Sequence, residues 1–465
     1  MWLNMDRPNN LMVIDSIMWF DDPVDWDRLA EVVQHRLVDR YPVFRQRAVA
    51  ASSPVGSPHW EDDPDFSLSR HLIRARLPEP GDEAALQANV ETQAHLPFDR
   101  AHPLWEFHLI DGYAGLEPNR GGAAILTRFH HALADGVALS QVLLSLTDAR
   151  ADADIDDEPS GAGRPVATRG SDPPHGGLLG AAARVTGSAS SAVRGALHLF
   201  AELPHLVDPA HVIDALALTQ QTGQIANKLL MRSNPSTLLS GTPGIAKRVV
   251  WSAPRLLTDV KRVGGLAGAT VNDVLVGAVS SAISSYLVDH GGDAVDLTTM
   301  VPVNLRAPGE PLPRTLGNRF ALVLLELPTG RWAPLQRLSE TKHRMDSIKH
   351  SPEAVLTFGL ISAIGRTNPE IERHLVDFFS AKAIGVTTNV PGPAVARYVA
   401  GAPIAGLLAW VPGSGRQTLG VSILTYNGTV RVGFKTDEAI VVAPEKLVHA
   451  FDEAIDDFVR LAKAR

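Results

Sequence analysis

The sequence predicts a mixed α/β protein, α/β or α+β in class, arranged as two layered domains. Three observations carry that expectation. The chain has 465 residues, enough for two or three compact domains at roughly 150 residues each. Segments of helical spacing alternate with segments of strand-like alternation along most of its length, the pattern of helices layered on sheets. A stretch rich in Asp, Pro and Gly, DARADADIDDEPSGAGRPVATRGSDPPHGG (148–177), interrupts this periodicity near one third of the chain. Read as an interdomain linker, it divides the chain into an N-terminal domain (1–147), the linker (148–177), a helical bridging segment (178–247) and a C-terminal domain (248–465). The other reading is a long surface loop within one domain, although structureless loops beyond ~15 residues are uncommon there.

In the N-terminal domain, Leu29, Val32, Val33, Leu37 and Val38 recur at helical spacing within 25–47, with a stop signal at Pro42. A second helix is expected over about 82–95. LWEFHLIDG (104–112) and AAILTRFH (123–130) alternate as strands on either side of a turn and should pair. VALSQVLLSLTDA (137–149) reads as a helix, which leaves HALADG on a tight strand-to-helix connection. Beyond the linker, 178–232 is Ala/Leu-rich and helical, broken at Pro204 and Pro209. Then follow a strand near 249–252, a helix over 271–288, strands over 298–305 and 320–328, and helices near 332–350 and 353–364. Gly385 and Gly392 stand in a turn-like setting. LGVSILTYNGTVRVGFKTD (419–437) is a hairpin around Asn427-Gly428, and 450–462 closes the chain as a helix.

Composition narrows the function. Lys and Arg number 43 against 51 Asp and Glu, a formal charge of −8, so no broad basic face and no nucleic-acid partner are expected. The absence of cysteine excludes disulfides, thiolate metal sites and cysteine nucleophiles, and is compatible with an intracellular compartment. The opening MWLNMDRPNNLMVID lacks the layout of a secretory signal. The apolar 271–288 carries polar residues inside the ~20 needed to cross a bilayer, so no spanning helix is expected, while amphipathic stretches leave peripheral contact with lipid open. GxSxG, Walker and dinucleotide-binding patterns do not occur, which removes support for hydrolase, kinase and dehydrogenase readings.

The densest chemical constellation is HHALADG, His130 to Gly136. Imidazole is the natural general base near neutral pH. His131 and Asp135 are four apart across the expected turn, so Asp135 either caps the next helix or folds back on the ring. Gly136 removes a Cβ where backbone or substrate comes close. Two other readings stand beside this one: a helix start preceded by two hydrogen-bonded histidines of a strand end, and a metal site built from adjacent imidazoles and a carboxylate. Against the metal, adjacent strand residues point to opposite faces and no second cluster at ligand spacing appears.

HHALADG matches the HHxxxDG signature, and PLWEFHLIDG (103–112), GATVNDVLVGAV (268–279), VPVNLR (301–306), LGNRF (316–320) and VTTNVPGP (386–393) accompany it in order. With these segments the chain resembles the bacterial wax ester synthase/diacylglycerol acyltransferase family, in the chloramphenicol-acetyltransferase-like superfamily. HHxxxDG alone is shared with peptide-synthetase condensation domains; Pro-Leu-Trp and the Asn-Asp pair give the match its specificity. The chain departs from the family at its start, where a Pro-Leu-Ser segment usually precedes the Trp-Leu that stands here as Trp2-Leu3 and a Glu usually takes the place of Asp6. A start from a downstream codon is one reading of that difference.

The resemblance implies two CoA-dependent-acyltransferase-like domains, each a mixed sheet flanked by helices, with a tunnel between them. It implies that His131 takes a proton from an acceptor hydroxyl, which attacks the acyl-CoA carbonyl directly, and that Asp135 orients the site, with His130 as a shaping neighbour. Asn272 is a candidate oxyanion donor; the alternative is that Asn272 and Asp273 cap the helix that follows. Pro103, Leu104 and Trp105 form either a wall of the acyl pocket or core packing. Lys247 and Arg248 are available to the polar end of CoA, or simply solvated. The implied reaction moves a long-chain acyl group to diacylglycerol, with a long-chain alcohol as the alternative acceptor. Acyl-CoA is the co-substrate, and neither metal nor other cofactor is implied. The implied setting is cytoplasmic, peripheral to a membrane or lipid droplet. A carrier-dependent condensation domain and a non-catalytic lipid-binding protein are the competing classes.

Overall fold

The computed structural model describes residues 1–50, 58–115, 121–157, 233–306, 310–349, 351, 353–365 and 369–464. A one-turn helix α1 (Trp2–Met5) leads into β1 (Val13–Phe20), all eight of whose residues are buried. The helix expected within 25–47 ends before Pro42 as its stop signal implies, and its last part is a π turn. α2 (Trp26–Val33) is capped by Asp25, whose carboxylate accepts from the N–H groups of Asp27 and Arg28; a π turn over Gln34–Val38 and a 3-10 turn over Pro42–Arg45 follow. A small ribbon of β2 (Gln46–Val49) and β3 (His59–Asp62) precedes α3 (Leu68–His71), β4 (Leu72–Arg76) and α4 (Glu83–Ala94). β5 (Trp105–Tyr113) and β6 (Gly122–His130) pair antiparallel as expected, and α5 (Gly136–Ser145) follows a short turn.

The C-terminal half contains β7 (Lys247–Trp251), β8 (Arg255–Leu256), α6 (Leu257–Ala267), α7 (Val271–Asp289), β9 (Leu297–Asn304) and β10 (Phe320–Leu327). Then come α8 (Pro334–Lys349), α9 (Glu353–Ile364), α10 (Pro369–Ser380), β11 (Gly385–Pro391), β12 (Tyr398–Val399) and β13 (Ala402–Pro403). β14 (Gly406–Trp410), the hairpin β15 (Leu419–Tyr426) and β16 (Thr429–Asp437), and α11 (Glu445–Lys463) complete the chain. Two mixed sheets result, in the orders β14-β1-β6-β5-β4 and β10-β9-β11-β15-β16-β7. Each has its own apolar core.

Three expectations change. The halves are not cleanly divided at 248, because β14 of the C-terminal half pairs antiparallel with β1 and completes the N-terminal sheet. The first part of the expected linker is folded: the Asp148 N–H donates to the Tyr398 carbonyl at 2.8 Å, the Asp148 carboxylate takes Arg36 at 2.7 Å, and Arg36 also holds the carbonyls of Asp154 and Ile155. The rest of the linker and the expected helical segment 178–232 lie outside the described residues, while 233–246 runs without a helix. Gly385 and Gly392 bound a strand rather than a turn. β11 lies parallel to both β9 and β15, and a Cβ at either glycine would strike the backbone carbonyl of Leu419 or Thr425.

α7 is the one helix among the described residues that is long and apolar enough to cross a bilayer, yet most of it is buried within the fold. It packs against α8 and α11. Its serines have a use there: Ser281 and Ser284 accept from the buried Arg337 guanidinium at 2.9 and 3.1 Å.

Candidate active site

The site begins where β6 runs out. At the strand end the His130 N–H donates to the Leu104 carbonyl at 3.0 Å and the His131 N–H to the Met12 carbonyl at 2.7 Å, so both adjoining strands fix the turn. Asp135 then caps α5: its Oδ1 accepts from the Ala138 N–H at 2.9 Å. Capping satisfies a donor that the first helical turn leaves open. Space is open where a Cβ of Gly136 would stand, and the residue faces the cavity described below.

Asp135 does not fold back on the His131 ring. Its other oxygen accepts from Arg306 Nη1 at 2.5 Å and from the Arg319 N–H at 2.8 Å, both in the C-terminal half. The carboxylate and the guanidinium are both buried, and Arg306 also donates to the Gly317 carbonyl at 2.7 Å. Asp135 is therefore a clamp between the halves that acts on His131 through charge.

The His131 ring stacks on Trp2 with centroids 4.3 Å apart and planes 16° apart, and Phe320 packs at 5.4 Å. Burial pushes its pKa down to about 4, against the opposing effects of its own main-chain carbonyl, the Asp135 charge and the Asn318 side chain. The imidazole is neutral near pH 7 as a result. Asn318 Nδ2 holds the His131 carbonyl at 2.9 Å. The ring's Nδ1 is buried without a hydrogen-bond partner among the described residues, which leaves Nε2 as the ring nitrogen able to meet a substrate.

His130 sits behind the cavity wall. Its Nδ1 accepts from the Ala132 N–H at 3.1 Å, and its Nε2 lies 3.6 Å from Asp6. Burial works against ionisation of Asp6, but the neighbouring His130 ring and hydrogen bonds from the Met12 N–H and Arg100 together hold its carboxyl below the usual range.

A cavity of about 1440 Å³, including its mouth, opens in front of His131 between the halves. Its wall comes mainly from α1, β9, β10, α9, α10 and β11 and is largely apolar, for example Trp2, Met300, Leu324, Ile361 and Phe379. Asn304, Thr388, Asn389 and Ser414 add polar groups, and among the described residues no Lys or Arg lines it. Among the described residues no group of three or more His, Asp or Glu side chains could hold a metal ion.

The structure corrects the expected substrate residues. Pro103, Leu104 and Trp105 are core, not cavity wall: Leu104 and Trp105 are fully buried, Trp105 donates to the Phe44 carbonyl at 2.8 Å and stacks on His71. Asp273 closes a capping box with Thr270 at the start of α7. Asn272 is one residue back from the cavity, its Oδ1 accepting from Asn389 at 2.6 Å, so it does not face His131. Lys247 pairs with Asp437 at 2.7 Å and Arg248 with Glu91 at 2.8 Å, well occupied without CoA. Sequence reasoning gave no role to Arg306, Asn318, Phe320 or Trp2. Three of them lie in VPVNLR and LGNRF, segments it had singled out by resemblance alone.

Comparison with known proteins agrees with this geometry. Residues 1–275 match the wax ester synthase/diacylglycerol acyltransferase catalytic domain, and residues 316–458 match the WS/DGAT C-terminal domain. A Mycobacterium tuberculosis protein named as a probable diacylglycerol O-acyltransferase is 28% identical over 437 residues, 91% of this chain and 86% of that protein. The fold is similar to that of a wax ester synthase/diacylglycerol acyltransferase from Marinobacter aquaeolei, with a TM-score of 0.67 at 20% identity over 99% of this chain and 98% of that one. It is also similar to the first condensation domain of the calcium-dependent antibiotic synthetase, with a TM-score of 0.55 at 16% identity over 97% and 91% of the two chains. The chain belongs to the wax ester synthase/diacylglycerol acyltransferase family.

Proposed function

We propose that this protein transfers a long-chain acyl group from acyl-CoA to the free hydroxyl of diacylglycerol, forming triacylglycerol. The observation that carries the proposal is a neutral imidazole, His131, set in the wall of a largely apolar cavity. A fatty chain gains ~0.8 kcal/mol per methylene removed from water, so such a wall binds it without charged anchors. His131 Nε2 accepts the proton of the acceptor hydroxyl, whose oxygen attacks the thioester carbon. Because burial makes the imidazolium a strong acid, it returns that proton readily to the departing CoA thiolate. Asp135 holds the turn that presents the ring, and Trp2 and Phe320 exclude water from its faces.

The family description names both products, so a long-chain alcohol giving wax ester is the second acceptor to test. Acyl-CoA is the co-substrate and the chemistry asks for no further cofactor. The proposed setting is cytoplasmic, at the surface of a membrane or lipid droplet, because the acceptor and the product are insoluble in water. The test is incubation of the protein with labelled palmitoyl-CoA and either diacylglycerol or hexadecanol, followed by separation of the lipids. Label should enter triacylglycerol, with the two acceptors compared directly, and His131→Ala should lower turnover by ~100- to 10,000-fold. Failure of both esters to form would overturn the proposal.

A further inference from the structure

Acyl transfer leaves one requirement without a group assigned to it, a donor for the oxygen that gains charge when the acceptor attacks. Among the described residues two side-chain amides line the cavity, and one is engaged: Asn389 Nδ2 donates to Asn272. The other is Asn304, the last residue of β9. It pairs across the ladder with Phe320, and paired residues on antiparallel strands project to the same face. Its side chain therefore stands beside the ring that packs on His131 at 5.4 Å, and both residues line the cavity.

The Asn304 amide is oriented before substrate arrives. Its Oδ1 accepts from the Arg306 N–H at 3.0 Å. Arg306 is itself fixed by Asp135 and the Gly317 carbonyl. An amide nitrogen carries two donors, and among the described residues Asn304 Nδ2 donates to nothing. Fixed donors that face the place where charge develops are the means of stabilising an oxyanion, because they need no reorganisation during the reaction.

We propose that Asn304 Nδ2 donates a hydrogen bond to the acyl carbonyl oxygen and is the oxyanion-stabilising group of this enzyme. The assignment rests on the acyl-transfer reading. As the acceptor oxygen bonds to the carbonyl carbon, its proton passes to His131 Nε2 and the carbonyl π pair moves onto the oxygen held by Asn304. Collapse restores the carbonyl, breaks the carbon–sulfur bond and sends the proton from His131 to the thiolate. HHALADG thus supplies the base, and VPVNLR supplies both the amide and the arginine that ties the two motifs together.

The experiment compares Asn304→Ala and Asn304→Asp with the unaltered protein in the palmitoyl-CoA assay, and measures binding of S-hexadecyl-CoA, a thioether without the carbonyl oxygen. Aspartate keeps an oxygen for the Arg306 N–H but removes both donors, so it separates anchoring from donation. Both variants should lose kcat by ~100- to 1000-fold, with KM and thioether binding within about threefold of the unaltered protein. Retention of kcat by Asn304→Asp, or a loss of thioether binding in step with the loss of rate, would overturn the assignment while leaving the acyltransferase intact. An unaltered protein inactive on both acceptors would overturn the assignment together with the function beneath it.

Discussion

Two helices of this protein use a buried aspartate to satisfy their N-termini, and the two carboxylates do different work. Asp135 starts α5 and divides its oxygens between its own helix and two groups of the other half, Arg306 and the Arg319 N–H. Asp273 stands in the first turn of α7 and closes its capping box with Thr270, three residues back. Each sits in a motif, each is buried, and each satisfies a helix N-terminus. Only the first reaches across the molecule. The difference teaches that the short-range part of a motif is shared by structural and catalytic helices, and that the long-range partner sets them apart.

The largest expected effect comes from Asp135→Ala. It strips the cap and leaves the Arg306 guanidinium buried without its counter-charge, a change that typically costs ~3–5 kcal/mol. Chemical denaturation should show that loss, and turnover should fall with it because the Arg306 N–H also holds the Asn304 side chain. If Asp135→Ala unfolds at the same denaturant concentration as the unaltered protein, the clamp between the halves does not operate.

Titration sharpens the same comparison. His131 binds a proton near pH 6.5 when unfolded but only near pH 4 when folded. Between those values the unfolded chain binds more protons, so stability falls as pH drops from 6.5 towards 4, by roughly 3 kcal/mol in all, and is flat above 6.5 as far as this group is concerned. His131→Gln should remove that slope when unfolding is measured at pH 7.5 and pH 5. For the same reason the acid limb of kcat/KM that belongs to His131 should lie well below 6.5 in a pH profile.

Asp135→Asn should be milder than the alanine change. An amide oxygen still caps α5, while the ion pair is lost, so most of the remaining defect belongs to Arg306 and should appear in unfolding midpoints as an intermediate value. The smallest effect is expected of Asp273→Ala, about 1 kcal/mol for half of a capping box, with kcat unchanged. A large loss of kcat there would erase the distinction between the two helices.

The strand–turn–helix around HHALADG was legible because its signals are local: alternation into His130, a capping residue and a glycine within seven positions. The hairpin at Asn427-Gly428 was legible for the same reason. β1 was not, since a strand buried on both faces lacks the alternation that marks a strand, and β11 was not, since it opens with a glycine that interstrand contact demands. In the site, the placing of His131 at a strand end could be read from spacing, and so could the cap as one of two roles left open for Asp135. Arg306 could not, because it lies 171 positions from Asp135, and nothing local says that VPVNLR will face HHALADG. Trp105 was ambiguous from sequence alone: a large aromatic on an apolar strand fits a pocket wall and a core equally well, and only burial against Phe44 and His71 decides between them.

The pairing of β14 with β1 has a consequence for the order in which the molecule is made. Until residue 410 leaves the ribosome, β1 has a partner only on its β6 side. At ~5–20 residues per second that interval lasts roughly twenty to eighty seconds after β1 itself appears. Throughout it the nascent protein carries an apolar strand edge, VIDSIMWF, of the kind that recruits other chains. The sheet that leads into His131 is therefore finished only after residue 410 has emerged, and a chain released before that point would carry HHALADG on an open sheet.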